Sequence, residues 1–251
     1  MSMNNRAQKN YDEIFPGRVS PLAQTDPELV EYFHNFAFDE VVWPGGLDTR
    51  IRLMLQLAGT IAVGALTQYR LLLGAALTAG VTPVAVKEIV YQAVPYVGMA
   101  RVSDFLQATN EILLDRGVEL PLPGQSTTDP ETRAEKGLAV QQEIIGADTV
   151  SNLYALAPLD QMHIQRLLSA NCFGDHYTRT GVDLPTRELL TFVMLVALGG
   201  VEPQVKGHVI ANLRVGNPRA LLVEALTLLL PYIGYPRTLN GLRVVTENTV
   251  E

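Results

Sequence analysis

The sequence predicts an all-α fold made of two copies of one helical unit. Apolar residues recur at three- and four-residue steps in several segments, as they do on one face of a helix. No stretch sustains the alternation of apolar and polar residues that marks half-buried strands, and aromatic residues are only 7% of the chain. The chain also repeats its own pattern 136 positions later, which indicates two units.

The repeat is clearest near the end of each unit. The residue types at Gly80, Glu88, Pro95, Tyr96, Gly98 and Arg101 recur at Gly216, Glu224, Pro231, Tyr232, Gly234 and Arg237. Arg50 and Arg187 also correspond, one residue out of register. Residues 117–130 are too rich in Pro, Gly, Ser and Thr to continue a helix. We therefore predict a first copy over 1–116, a linker over 117–130 and a second copy over 131–251.

Each copy is predicted to contain three successive helices. Those of the second copy run from Asp183 to Gly199, over 204–215, and up to Pro231; the first helix of copy one carries the apolar face of 51–65. The third helix is expected to start at Thr82 in copy one and at Asn217 in copy two. Each is followed by proline, which suits the first helical position.

Composition excludes several classes of function. The 251 residues carry 19 Lys and Arg against 26 Asp and Glu, a net charge of -7, so no overall basic field is available for nucleic acid. The longest apolar run, Leu189–Leu198, is shorter than the roughly 18–20 residues that cross a bilayer, and the polar start does not resemble a secretion signal. With a single cysteine, we expect a cytoplasmic protein.

His208 and Glu188 are the candidate catalytic residues. His208 lies three residues after Val205 and next to Val209, on the side of its helix that faces the core, and imidazoles serve as acids or bases near neutral pH. Glu188 meets it if the two helices form an antiparallel hairpin, although an acid in a first helical turn also suits the helix dipole. Copy one has Leu72 at the position of His208 and Ile51 or Arg52 at that of Glu188.

Two further side chains have competing interpretations. Arg187 is either a clamp for a substrate carboxylate or a structural arginine, because an arginine recurs in the first copy. Cys172 is either a small buried residue or a reactive thiol. The sequence has no HExxH, CxxC or clustered carboxylates, so no dedicated metal site is predicted.

Four segments together resemble the carboxymuconolactone decarboxylase family, which includes the alkylhydroperoxidase-D-like proteins. Residues 186–190 (TRELL) resemble its [KR]-E-L-[IL] opening, and His208 followed by Gly216 resembles its H-x7-G helix. Residues 231–236 (PYIGYP) are similar to its terminal Y-x-G-x-P motif, and residues 174–183 (GDHYTRTGVD) resemble the segment that precedes this core in the decarboxylases.

The resemblance implies helical-hairpin domains that assemble as trimers or hexamers, so we expect a homo-oligomer, such as a trimer of tandem chains. The decarboxylases convert a carboxylated muconolactone to an enol-lactone without metal or organic cofactor. Carried over to this chain, His208 is the acid/base, Glu188 its partner, and Arg187 and Tyr232 contact a small carboxylated substrate. The sequence departs from the family pattern in a Glu-to-His spacing one residue longer and in a degenerate first copy.

Two alternatives stay open at this stage. The first is a peroxidase or thiol oxidoreductase of the alkylhydroperoxidase-D type, although Val201 and Gln204 stand where such members carry C-x-x-C. The second is a helical oligomer that binds or supports other molecules without catalysis.

Overall fold

The computed structural model describes residues 3–42 and 45–249, which contain helices and no strand, so the all-α prediction is confirmed. None of these helices is long and apolar enough to span a lipid bilayer. The α-helices are α1 Asn5–Ile14, α2 Pro27–Asn35, α3 Thr49–Val63, α4 Leu66–Thr78, α5 Pro83–Val97, α6 Met99–Asp115, α7 Arg133–Ile145, α8 Ala147–Ala155, α9 Met162–Leu167, α10 Leu184–Leu198, α11 Glu202–Arg214, α12 Arg219–Ile233 and α13 Tyr235–Thr249. The π-helical segments Phe36–Glu40 and Leu168–Tyr177 precede α3 and α10, and a short 3-10 turn spans Pro21–Ala23.

The helices with the most buried residues, α3 and α10, have matching ends. The side chains of Asp48 and Asp183 accept hydrogen bonds from backbone N–H groups in the first turn, which would otherwise have no partner. Gly64 and Gly199 end the helices with φ of 76° and 74°, a conformation that costs glycine little. Both pairs of caps lie 135 positions apart, so α3 and α10 correspond at that offset.

This register corrects two predicted correspondences. The first-copy counterpart of Arg187 is Arg52 and not Arg50, and that of Glu188 is Leu53 rather than Ile51 or Arg52. From α4 and α11 onward the offset is 136, as their bounds show. The additional residue in the second copy therefore lies in the Gly199–Gly200 turn, where the sequence alone gave no reason to place it.

The third helix of each copy differs in part from the prediction. Thr82 caps α5 as expected, because its hydroxyl accepts from the N–H of Ala85. Asn217 does not cap α12, which begins at Arg219; its amide donates instead to the carbonyl of Pro185 at 2.8 Å. Pro231 does not end α12, because the helix includes it and continues to Ile233.

The two copies share one hydrophobic core. Helix α3 packs on α10 and α12, and α10 packs reciprocally on α5, the pattern of a two-fold pair formed within one chain. Helices α3 and α12 lie close together, since a Cβ added at Gly59 of α3 would lie 2.8 Å from the side chain of Leu229 in α12. No α-helix occupies the stretch between Asp115 and Arg133, which contains the predicted linker. The repeat units thus behave as halves of one packed body.

Candidate acid–base site

The site begins with a carboxylate–imidazole pair in the α10–α11 hairpin. The chain turns back after Gly199 and Gly200, which brings His208 of α11 over Glu188 in the first turns of α10. Nδ1 of His208 lies 2.8 Å from Oε2 of Glu188, so the contact expected from the sequence is present. The Glu188 side chain is fully buried, whereas 14% of the His208 side chain is exposed. The imidazole is therefore partly accessible to solvent, and the carboxylate behind it is not.

This contact determines what the imidazole can do. A carboxylate at Nδ1 holds the ring proton of the neutral imidazole on that nitrogen and fixes the orientation of the ring. Within the described residues, Nε2 of His208 has no hydrogen-bond partner, and neither does the buried Oε1 of Glu188. Nε2 of the neutral ring can accept a proton and return it, which is the requirement for general acid–base chemistry.

Two asparagines hold the hairpin in place. The amide of Asn212, one turn after His208, donates to the carbonyls of His208 at 2.6 Å and Glu188 at 3.1 Å. The amide of Asn217 in turn donates to Oδ1 of Asn212 at 2.8 Å. Both asparagines are buried. The backbones of both catalytic candidates are therefore tied together, which fixes the geometry of the pair. Asn212 was not predicted from the sequence, although it lies at i+4 from His208, and Asn217 was predicted only as a helix cap.

Tyr96, from the first copy, completes the surroundings of His208. Its ring packs edge-on against the imidazole, with centroids 5.9 Å apart. Its hydroxyl donates to that of Tyr177 at 3.0 Å, and Tyr177 shares a hydrogen bond of 2.7 Å with Thr191. Burial, with the negative charge of Glu188 adding to it, raises the pKa of both tyrosines well above the ordinary value. The phenols are thus neutral, and the site lies where the copies meet.

Tyr232 does not have the position that the prediction required. It is the counterpart of Tyr96, and it packs edge-on against Phe33 of α2, with ring centroids 5.9 Å apart. Burial raises the pKa of its hydroxyl, and the nearby charge of Arg52 partly opposes this effect. Tyr232 therefore lies in the other half of the pseudo-two-fold arrangement, where Leu53 and Leu72 replace the acid–base pair. The tyrosine beside His208 is thus the one from the first copy, because each copy places its tyrosine against the other copy.

Arg187 is committed to a buried ion pair rather than open to a substrate. Its guanidinium donates to Oε2 of Glu88 at 2.8 Å and to Oε1 of Gln92 at 3.0 Å, and both side chains of the ion pair are 1% exposed. The guanidinium of Arg179 donates to both carboxylate oxygens of Glu88. Two arginines of the second copy thus hold one carboxylate of the first. The position of Arg187 corrects its assignment as a carboxylate clamp, since its charge is neutralised inside the protein.

Cys172 lies beside the site in a form unsuited to thiolate chemistry. Its Sγ is 3.7 Å from the hydroxyl of Tyr96, and the residue is buried. Burial raises the pKa of this thiol to about 12, while the hydrogen bond with Tyr96 opposes the increase. Reactive cysteines need the opposite, an environment that stabilises the thiolate. The geometry therefore favours the interpretation of Cys172 as a packed side chain.

Fold and site together define the class of protein: an all-α chain of two fused helical-hairpin copies with a carboxylate–imidazole pair at their junction. The model of the carboxymuconolactone decarboxylase family matches residues 27–111 and 163–247, which together exceed half of the chain. The protein belongs to this family and carries its domain twice. No curated protein sequence matches the chain.

Proposed function

We propose that the protein is an acid–base enzyme that removes carbon dioxide from a small carboxylated lactone, with His208 as the proton-transferring residue and Glu188 as its partner. Family membership makes this reaction the first to test. Within the family, the contacts of this chain favour acid–base over thiol chemistry, because the imidazole is partly accessible and the only thiol is buried.

The observation that carries the proposal is the difference between the copies. The same four positions, three in helices and one in a turn, are polar in the second copy and apolar in the first: Glu188 and Leu53, His208 and Leu72, Asn212 and Ala76, Asn217 and Val81. All four first-copy residues are buried and belong to the hydrophobic core. The fold therefore does not need a buried carboxylate and two buried amides here. Because burying such groups costs stability, their joint presence supports a functional role.

The proposed reaction follows from these contacts. Cleavage of the carbon–carboxylate bond releases carbon dioxide and leaves its electron pair delocalised into the lactone carbonyl. The imidazolium of His208 then donates the proton from Nε2 to carbon, and solvent restores the proton to the ring. Glu188 accepts the hydrogen bond from Nδ1 and so fixes the orientation of the ring during this step. Because Arg187 is held by Glu88, no arginine clamp is assigned; the protonated imidazole itself would attract the substrate carboxylate.

The test is turnover of purified protein on γ-carboxymuconolactone, followed by loss of substrate and release of carbon dioxide. His208→Leu installs the first-copy residue and should lower kcat roughly 10²-fold or more. His163→Leu is the matched control, because His163 is an exposed histidine of the same copy, and it should leave turnover unchanged. Turnover that survives in His208→Leu, or none in the wild-type protein, would overturn the assignment.

A thiol peroxidase remains the alternative that the same family suggests. It requires a thiolate from Cys172, whose burial opposes ionisation. Hydroperoxide reduction that is lost in Cys172→Ser would favour this alternative over the decarboxylase.

A further inference from the structure

A cavity away from His208 lies mainly against helices of the first copy. It has a volume of about 330 Å³ and lies between α5, α6, the segment 120–125 and Arg179. Lys87, the basic residue of the cavity on α5, precedes Tyr96 by nine positions, which corresponds to roughly 13 Å along a helix axis. Tyr96 is the residue of α5 that packs against His208. The size is at the lower end of the range for small-molecule pockets. The cavity is thus distinct from the acid–base site.

The cavity contains a cation without a carboxylate partner. Lys87 is 9% exposed, and its ammonium donates to Oδ1 of Asn110 and lies 5.9 Å from the centroid of the Tyr91 ring. Among the described residues, no carboxylate lies within ion-pair distance of it. Burial lowers the pKa of Lys87, and no acidic group offsets this effect. Burying an unpaired ammonium is costly, so an external anion would stabilise this arrangement.

The neighbouring charges strengthen this positive character. Arg179 also lines the cavity, with its guanidinium 5.1 Å from the centroid of the Tyr91 ring. The carboxylate of Glu88 faces the same space, but it is shared between Arg179 and Arg187. Two arginines therefore neutralise and exceed the single charge of Glu88, and Lys87 adds a further positive charge that no carboxylate of the described residues pairs with.

Comparison of the copies shows that packing does not require this cation. The counterpart of Lys87 in α12 is Val223, which packs against the core, and the counterpart of Asn110 in α13 is Thr246. Valine is thus accepted by the same fold at the same helical position. The lysine and its amide partner are features of the first copy alone, whereas the acid–base pair is a feature of the second copy alone.

We propose that this cavity binds a small organic carboxylate, with the anionic group at Lys87 and Arg179 and the apolar body against Val84, Leu120 and Leu122. The ammonium offers a charge-assisted hydrogen bond, and the proline-containing segment 120–125 offers an apolar wall. An apolar wall beside the cations favours an organic carboxylate over an inorganic anion. This binding does not depend on the reaction proposed for His208.

The test is calorimetric titration of the full-length protein with benzoate, with benzamide as the uncharged probe and inorganic phosphate as the inorganic anion. Benzoate should bind to this cavity, and benzamide should not. Lys87→Val should weaken benzoate binding roughly tenfold or more, because a hydrogen bond to a charged group is lost. Lys87→Gln, closer in size to lysine, should behave in the same way.

Two control variants locate the binding. Lys9→Gln removes an exposed lysine and should bind benzoate as the wild type does. His208→Leu should also bind normally, which separates this cavity from the acid–base site whatever that variant does to turnover. The inference is overturned if benzoate does not saturate, if Lys87→Val binds it equally well, if His208→Leu abolishes binding, or if phosphate binds more tightly than benzoate.

Discussion

Substitution of Glu88 by glutamine tests the ion pair that joins the two copies. Glutamine preserves the volume of the side chain and removes its charge, so no cavity accompanies the change. Arg187, 1% exposed, then loses its carboxylate, as does Arg179, whose side chain is 18% exposed. Removing one member of a buried ion pair costs about 3–5 kcal/mol, because the remaining charge stays buried without compensation. For a chain of this size, that corresponds to a melting temperature roughly 6–20 °C lower.

Urea unfolding of Glu88→Gln should therefore show a lower midpoint with an unchanged slope. Glu224→Gln is the matched control, since Glu224 occupies the corresponding position in α12 and accepts from the backbone N–H of Leu47 at 2.7 Å. A glutamine oxygen can still accept that bond, so the control should cost within about 1 kcal/mol. The cost of Glu88→Gln should also persist in about 0.5 M salt, which screens exposed charges far more than buried ones. Equal costs for the two variants would refute the reasoning.

Three further results are expected. Tyr96→Phe should lower kcat roughly tenfold or more on any substrate that is turned over, because the ring beside the imidazole loses its hydrogen bond to Tyr177. Tyr232→Phe should leave kcat unchanged, and equal effects of the two variants would contradict the assignment. Burial lowers the pKa of His34 below its ordinary 6.5, so the unfolded chain takes up the proton first as the pH drops, and the stability of the folded protein should fall below about pH 6.5. The melting temperature of His34→Phe should therefore fall less between pH 7.5 and 5 than that of the wild type. An equal fall in both proteins would contradict this role of His34. Cys172 should react with iodoacetamide roughly a thousandfold more slowly in the folded protein than in urea at pH 8, because its pKa is about 12 rather than 9.0; fast labelling of the folded protein would show that the thiol is accessible.

Local structure was largely predictable because its causes are local. Asp183 caps α10 through its own side chain, and Gly199 ends that helix through its own φ. The contact of Glu188 with His208 also follows from one hairpin within one copy. Such features depend on residues close in sequence, which a pattern of caps and periodicity describes well.

The remaining features depend on how the copies pack, which periodicity does not specify. Arg187 pairs with Glu88 across 99 positions of sequence, and nothing in its own segment indicates that partner. Tyr96 rather than Tyr232 lies beside His208 because the third helix of one copy packs on the first helix of the other. The predicted register of α3 with α10 was wrong for a simpler reason. A single additional residue in the glycine turn leaves the apolar pattern of both helices unchanged, so the pattern does not reveal where that residue lies.

The most direct test of the acid–base pair is a double-mutant cycle on Glu188 and His208. Glu188→Leu, His208→Leu and the double variant convert this position to the leucine pair that the first copy already packs, so their folds should survive, as circular dichroism can check. With γ-carboxymuconolactone as substrate, kcat/KM should fall in each single variant, and the double variant should be no worse than His208→Leu, because residues that act as one unit are not additive. Losses that multiply in the double variant, or a Glu188→Leu protein with wild-type turnover, would contradict the account.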